Sequence, residues 1–139
     1  MCRIGHQGDI LVLESANNYI ITGGIDGYLG VWNQFSGLLK FTIRMPDPVN
    51  EKEYKPENKI RKTISDLLFH PAYSNVVCVL QESGNVHCID ISNGEVIGDF
   101  VAYMKINSNW ACCDEQEKLF VIGDMGRASM FDIGLDKNM

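Results

Sequence analysis

Short apolar runs alternate with pairs of turn residues along most of the chain. The first four are Ile10–Leu13, Tyr19–Thr22, Tyr28–Trp32 and Leu38–Ile43, with Asn17-Asn18, Asp26-Gly27 and Ser36-Gly37 between them. Each is too short for a stable helix and rich in Val, Ile, Tyr, Phe or Thr, so each predicts a strand. Asp26-Gly27 predicts a tight hairpin, because glycine reaches positive φ at no steric cost.

The succession then returns. Strands are predicted over Thr63–Phe69, Val76–Leu80, Val86–Ile91 and Glu95–Phe100, punctuated by the turn from His70 to Asn75, by Ser83-Gly84 and by Asn93-Gly94. A third round predicts a strand over Val101–Ile106, a loop over Asn107–Glu117, and strands over Leu119–Ile122 and Ala128–Ile133. The chain stops before a fourth strand of that unit.

Superposing the third strands makes the repeat explicit. Asp26-Gly27-Tyr28-Leu29-Gly30-Val31-Trp32-Asn33 matches Ser83-Gly84-Asn85-Val86-His87-Cys88-Ile89-Asp90 and Met125-Gly126-Arg127-Ala128-Ser129-Met130-Phe131-Asp132. The large apolar residue recurs at 32, 89 and 131, intervals of 57 and 42 residues. The second interval suits a four-stranded propeller blade of roughly 40–45 residues. The first is longer because residues 46–62, with three prolines and mixed charge, are inserted as a loop between units. The expected organisation is a first blade over 1–45, the inserted loop over 46–62, a second blade over 63–100 and an incomplete third over 101–139.

Composition narrows the class. With 45% hydrophobic and 22% charged residues the chain has the balance of a globular protein rather than a disordered one. No stretch approaches the roughly 20 apolar residues that cross a bilayer, so membrane insertion is not expected. A net charge of −6 lacks the basic field that grips phosphate backbones, so nucleic acid is not an expected partner. The five cysteines form no Cys-x-x-Cys pair, and adjacent Cys112 and Cys113 would make a strained disulfide. They are read as free thiols kept reduced in the cytoplasm.

The first unit resembles a WD repeat. It carries Gly5-His6, then Ile21-Thr22-Gly23-Gly24-Ile25-Asp26-Gly27, then Val31-Trp32-Asn33. The resemblance implies a buried hydrogen-bonded tetrad of His6, Thr22, Asp26 and Trp32. The Thr22 hydroxyl would accept from the Trp32 indole and donate to His6, and Asp26 would be met by donors that offset its desolvation. The other units depart from the pattern, with Val79, Ser83 and Ile89, then Val121, Met125 and Phe131, at the matching positions. They keep the glycine turns and the aspartates Asp90 and Asp132 that close the third strand. The second unit, with Gly84-Asn85-Val86-His87-Cys88-Ile89-Asp90 before Asn93-Gly94, also resembles a quinoprotein-type repeat.

Candidate chemistry is sparse. His6, Thr22 and Asp26 are the ingredients of a nucleophilic triad, yet the hydroxyl would be buried under Trp32 with no room for substrate. His70 precedes Pro71 and reads as a surface turn residue. Strand alternation sends His87 and Cys88 to opposite faces, which disfavours a metal site with Cys78. Gly123-Asp124-Met125-Gly126 lacks the Lys-Ser/Thr of a phosphate loop. In the insertion Lys52, Lys55, Lys59, Arg61 and Lys62 interleave with Glu51, Glu53 and Glu57, so no coherent basic patch forms. Tyr54, Lys55, Arg61 and Trp110 (the last read as a loop residue) are the candidate partner-binding positions, the aromatics because they often anchor interfaces.

The expectation is an all-β partial propeller of about three four-stranded antiparallel blades, the last incomplete. It would serve as a non-catalytic scaffold for proteins or peptides and for the remaining blades of the same propeller, with no cofactor or metal. Larger WD-repeat proteins of cilia and flagella carry similarly degenerate blades with long insertions, so a cytoplasmic setting, cytoskeletal or ciliary, is expected. Vesicle traffic, RNA processing and ubiquitin-ligase assembly stay open. The alternative is a quinoprotein-like oxidoreductase.

Overall fold

The computed structural model describes residues 8–16, 18–45, 63–101, 106–113, 115–123 and 127–134, with the side chains of 16, 101, 106–112 and 123 left aside. Eleven strands appear among them, and no helix. They are β1 (Ile10–Ala16), β2 (Tyr19–Gly24), β3 (Tyr28–Asn33), β4 (Leu39–Arg44), β5 (Ile64–Phe69), β6 (Val76–Gln81), β7 (Asn85–Asp90), β8 (Glu95–Val101), β9 (Ile106–Cys113), β10 (Lys118–Gly123) and β11 (Ala128–Asp132). They form three antiparallel meanders in chain order: β1 to β4, β5 to β8, and β9 to β11.

The turns follow from local chemistry. Gly27 takes φ of 79° and lets β2 return as β3. Asn18, with φ of 72°, turns β1 into β2, and asparagine tolerates that region better than most side chains. The residue that closes each third strand holds the next turn with its own side chain. Asn33 Oδ1 accepts the backbone N–H groups of Phe35 and Ser36 at 2.8 and 2.9 Å. Asp90 Oδ1 accepts that of Ser92, and Asp132 Oδ1 that of Gly134, both at 2.9 Å. The amide oxygen of Asn33 thus makes the same kind of contact as the carboxylates of Asp90 and Asp132.

The three sheets stack face on face. Ile21, Leu29, Val31 and Ile43 of the first interlock with Leu67, Val77, Val79 and Ile89 of the second. The opposite face of the second, with Val76, Cys78, Leu80, Val86 and Cys88, meets Leu119, Val121 and Ile133. Burial therefore follows position in the stack. Strand β6 is buried at all six positions, because its sheet has a neighbour on both faces. Strand β11 alternates exposed and half-buried residues, because its sheet has a neighbour on one face. Approach is close enough to exclude a side chain at Gly23, where a Cβ would lie 2.6 Å from Ile64 Cγ2. The first strands lie side by side, β5 between β1 and β9. This is a partial β-propeller, with two four-stranded blades and a three-stranded one.

Two expectations are corrected. The first strand of the third sheet is β9 (Ile106–Cys113), not 101–106, and Val101 ends β8 instead. The polar run Asn107-Ser108-Asn109 has the composition of a loop and falls in a register irregularity, but pairing with β10 on both sides of it (Ile106 opposite Gly123, Ala111 opposite Val121) keeps it within the strand. Trp110 thus belongs to a strand and not to a loop. His70 is not a surface residue. Its side chain is buried in the junction between the second and third blades.

Candidate protein-binding face

One edge of the stack gathers the features singled out above. Ile10 pairs with Gly24 and Tyr28 with Arg44, so the start of β1, the β2–β3 turn and the end of β4 share one edge. Ile64 pairs with Gln81 and Asn85 with Val101, which puts the start of β5 and the β6–β7 turn at the corresponding edge of the second blade. The segments flanking the 46–62 insertion are tied to those turns. Met45 N–H donates to the Gly27 carbonyl at 3.0 Å, and Glu82 N–H donates to the Thr63 carbonyl at 2.9 Å. Both anchors are buried. Met45 and Thr63, which flank the insertion, therefore sit beside the two turns. Tyr54, Lys55 and Arg61 themselves lie outside the described residues.

Inside the first blade, the Trp32 indole N–H donates to Thr22 Oγ1 at 2.9 Å, as the WD resemblance implies. Thr22 is buried, so its hydroxyl is engaged with the indole rather than offered to a substrate. Asp26 Oδ1 accepts the Tyr28 N–H at 3.1 Å and fixes the turn. The incoming segment reaches the same turn, since Ile25 N–H donates to the Asp9 carbonyl at 3.0 Å. His6 lies outside the described residues, as does the side chain of Trp110. Around the turn, Ile25 and Tyr28 stand exposed, a pair of apolar groups beside the Asp26 carboxylate.

The second blade carries a polar network of its own, at other positions, which the sequence reading did not anticipate. His87 Nδ1 meets Asp99 Oδ1 at 2.5 Å, and Nε2 meets the Gln81 side chain at 3.0 Å. His87 is nearly fully buried, whereas Asp99 reaches solvent. Register places Gln81, His87 and Asp99 where the first blade has Gly24, Gly30 and Thr42. Counting back from the Asn93-Gly94 turn sets His87 opposite Gly98, and only the register shift between Cys88 and Ile89 brings Asp99 to it, so the pair was hidden in the sequence. As alternation requires, His87 shares its face with Val79 toward the first blade, while Cys88 faces the third.

His70 joins two blades. Its Nδ1 accepts the Ala72 N–H at 3.1 Å, which leaves Nε2–H to donate to the Ile133 carbonyl at 2.7 Å. Among the described residues Cys78, Cys88 and Cys113 are free thiols, and no group of three or more His, Cys, Asp or Glu side chains is arranged to hold a metal ion.

No protein-family model matches the chain. It is 26% identical over 93 residues to eukaryotic translation initiation factor 3 subunit I of Meyerozyma guilliermondii, a match covering 66% of this chain and 24% of that protein. The chain thus spans about a quarter of that relative's length. Among solved structures it resembles the computationally designed Ika8 protein, with a TM-score of 0.70, 18% identity, and 94% of this chain on 35% of that one. It also resembles a chain of the Mitotic Checkpoint Complex, with a TM-score of 0.69, 15% identity, and 91% of this chain on 37% of that one. The likeness to both is one of fold. In each, the match spans a little over a third of the longer chain.

Proposed function

We propose that this chain is a segment of a WD-repeat propeller that works as a non-catalytic scaffold for other proteins. The observation that carries the reading is the Trp32–Thr22 hydrogen bond with Asp26 at the adjoining turn, set in a stack of antiparallel meanders. Such a bond rigidifies the blade from inside and leaves the turns free to vary for binding. The similarity to an initiation-factor subunit and to a chain of a checkpoint complex supports a role within an assembly, although fold alone does not set function.

The binding face is the edge where Met45 and Thr63, the residues flanking the insertion, meet the β2–β3 and β6–β7 turns. Ile25 and Tyr28 give it exposed apolar area, and Tyr54, Lys55 and Arg61 of the insertion are proposed as further contacts. The test is proximity labelling in cells with the wild-type chain, a variant lacking residues 47–61, and Ile25→Asp/Tyr28→Asp. Loss of a shared set of labelled partners in both variants, with unchanged far-UV circular dichroism, is the expected result. An identical partner set in all three would sink the assignment of this face.

A further inference from the structure

Phe35, at 80%, and Leu38, at 69%, are the most exposed large apolar side chains among the described residues. Both stand on the β3–β4 turn. Tyr19 pairs with Asn33 and Trp32 with Leu39, so this turn lies at the edge of the stack opposite the β2–β3 and β6–β7 turns. Leu13 and Met130 are also well exposed, but they lie on outer blade faces that a further blade would cover. Blades pack through their strand faces, so a neighbour would leave the tip of this turn in water.

Folding of the turn does not call for the two side chains. The second blade builds the same turn after Asp90, with φ of 81° at Gly94 where Gly37 has 72°. Gly94 N–H donates to the Asp90 carbonyl at 2.8 Å, as Gly37 N–H does to that of Asn33 at 2.9 Å. At the positions of Phe35 and Leu38 that turn has Ser92 and Glu95. The apolar pair is also held in place. Asn33 Oδ1 accepts the Phe35 N–H, Ser36 Oγ accepts the Leu38 N–H at 3.2 Å, and Asn33 N–H donates to the Leu38 carbonyl at 2.9 Å. A pre-ordered tip loses little backbone freedom on binding.

We infer that the β3–β4 turn is a plug received by an apolar pocket with a basic rim on a partner protein. Two apolar side chains on a projecting, rigid tip fit a pocket better than a flat surface. The rim follows from charge. The same edge carries Asp90 and Glu95 in the second blade, and Glu115, Glu117 and Asp132 in the third. Both cations described there are already engaged: Lys118 bonds Asp132, and Lys40 lies over the Tyr19 ring and donates to its hydroxyl at 3.1 Å. The excess of carboxylates repels anionic lipid headgroups and attracts lysine and arginine.

The experiment introduces Phe35→p-benzoylphenylalanine into the full chain in cells, with Ser92→p-benzoylphenylalanine as the control. The protein cross-linked from position 35 is identified, purified and titrated with the wild-type chain and with Phe35→Ser/Leu38→Glu, which copies the second blade's turn. An adduct from position 35 and not from position 92 is expected. The double substitution should weaken Kd about tenfold or more, and added salt should weaken wild-type binding. Ile25→Asp/Tyr28→Asp should leave Kd unchanged, which separates this edge from the opposite one. No adduct, an adduct only with a second copy of the chain, a Kd indifferent to the double substitution or to salt, or a Kd lost with Ile25→Asp/Tyr28→Asp would each overturn the inference. So would cosedimentation of wild type, but not of Phe35→Ser/Leu38→Glu, with phosphatidylcholine–phosphatidylserine vesicles, since the tip would then be a membrane anchor.

Discussion

The His70 imidazole reaches across a blade boundary to the carbonyl oxygen of Ile133, 2.7 Å from its Nε2. A polar side chain buried at an otherwise apolar junction is stable only when both ring nitrogens are met, and here Ala72 N–H meets the other. His70→Phe keeps an aromatic ring against Tyr73 but strands the buried Ile133 carbonyl. The expected cost is about 1–3 kcal/mol, the penalty for unpaired buried groups. A urea titration would show it as a lowered midpoint with an unchanged slope. No change would mean that the carbonyl finds another donor.

The tetrad that the WD resemblance implies for the first blade calls for a measurement of coupling. Trp32 and Thr22 are bonded, and Asp26 holds its turn. If His6 completes the group, Asp26→Ala and His6→Ala remove parts of one network. Each single change should cost roughly 1–3 kcal/mol, and the double mutant should cost less than their sum by about 1 kcal/mol. Strict additivity in a double-mutant cycle would place His6 outside the network.

How much of this was legible beforehand depends on what each residue's fate required. The β2–β3 hairpin could be read from Asp26-Gly27 alone, because that turn is fixed by backbone sterics of two residues. The order of strands followed from such turns, and the repeat from the recurrence of Trp32, Ile89 and Phe131. Strand β9 was not legible: Asn107, Ser108 and Asn109 prefer loops, and the segment counts as a strand only because Ile106 and Ala111 to Cys113 on either side pair with β10. His70 was missed for a related reason. A histidine before proline looks like a surface turn until the neighbouring blade supplies the Ile133 carbonyl. Local rules give local structure; contacts between blades need the stack.

Acid should weaken the third blade by a mechanism traceable to one carboxylate. Lys118 donates to Asp132 across the β10–β11 pair at 2.9 Å, and with the Gly134 N–H it holds the Asp132 carboxyl below the usual carboxylate value. A depressed folded value means the stabilisation is present above the unfolded carboxylate pKa of about 4 and disappears as pH falls through the folded value. Wild type should therefore lose more stability than Lys118→Met in that acid window. The group is exposed, so added salt should narrow the difference. Parallel acid titrations of the two proteins at low and high salt would check both statements.

The two ends of the stack bear on how the chain behaves by itself. On the outer face of the third blade Phe120, Ile122 and Met130 form one patch, the last 61% exposed. At the other end Leu13 is 62% exposed on the face that carries Thr22 and Trp32. In the middle of the stack the corresponding positions are sealed by a neighbouring blade, so these faces are built for the same treatment. The chain alone should therefore self-associate as concentration rises, end face to end face. Ile122→Lys/Met130→Glu places charge in the middle of one patch and should shift the population toward monomer without altering the fold, since neither side chain is part of a buried cluster. Sedimentation velocity across a concentration series decides the matter: a wild-type chain that stays monomeric throughout would show that the exposed faces are tolerated in water.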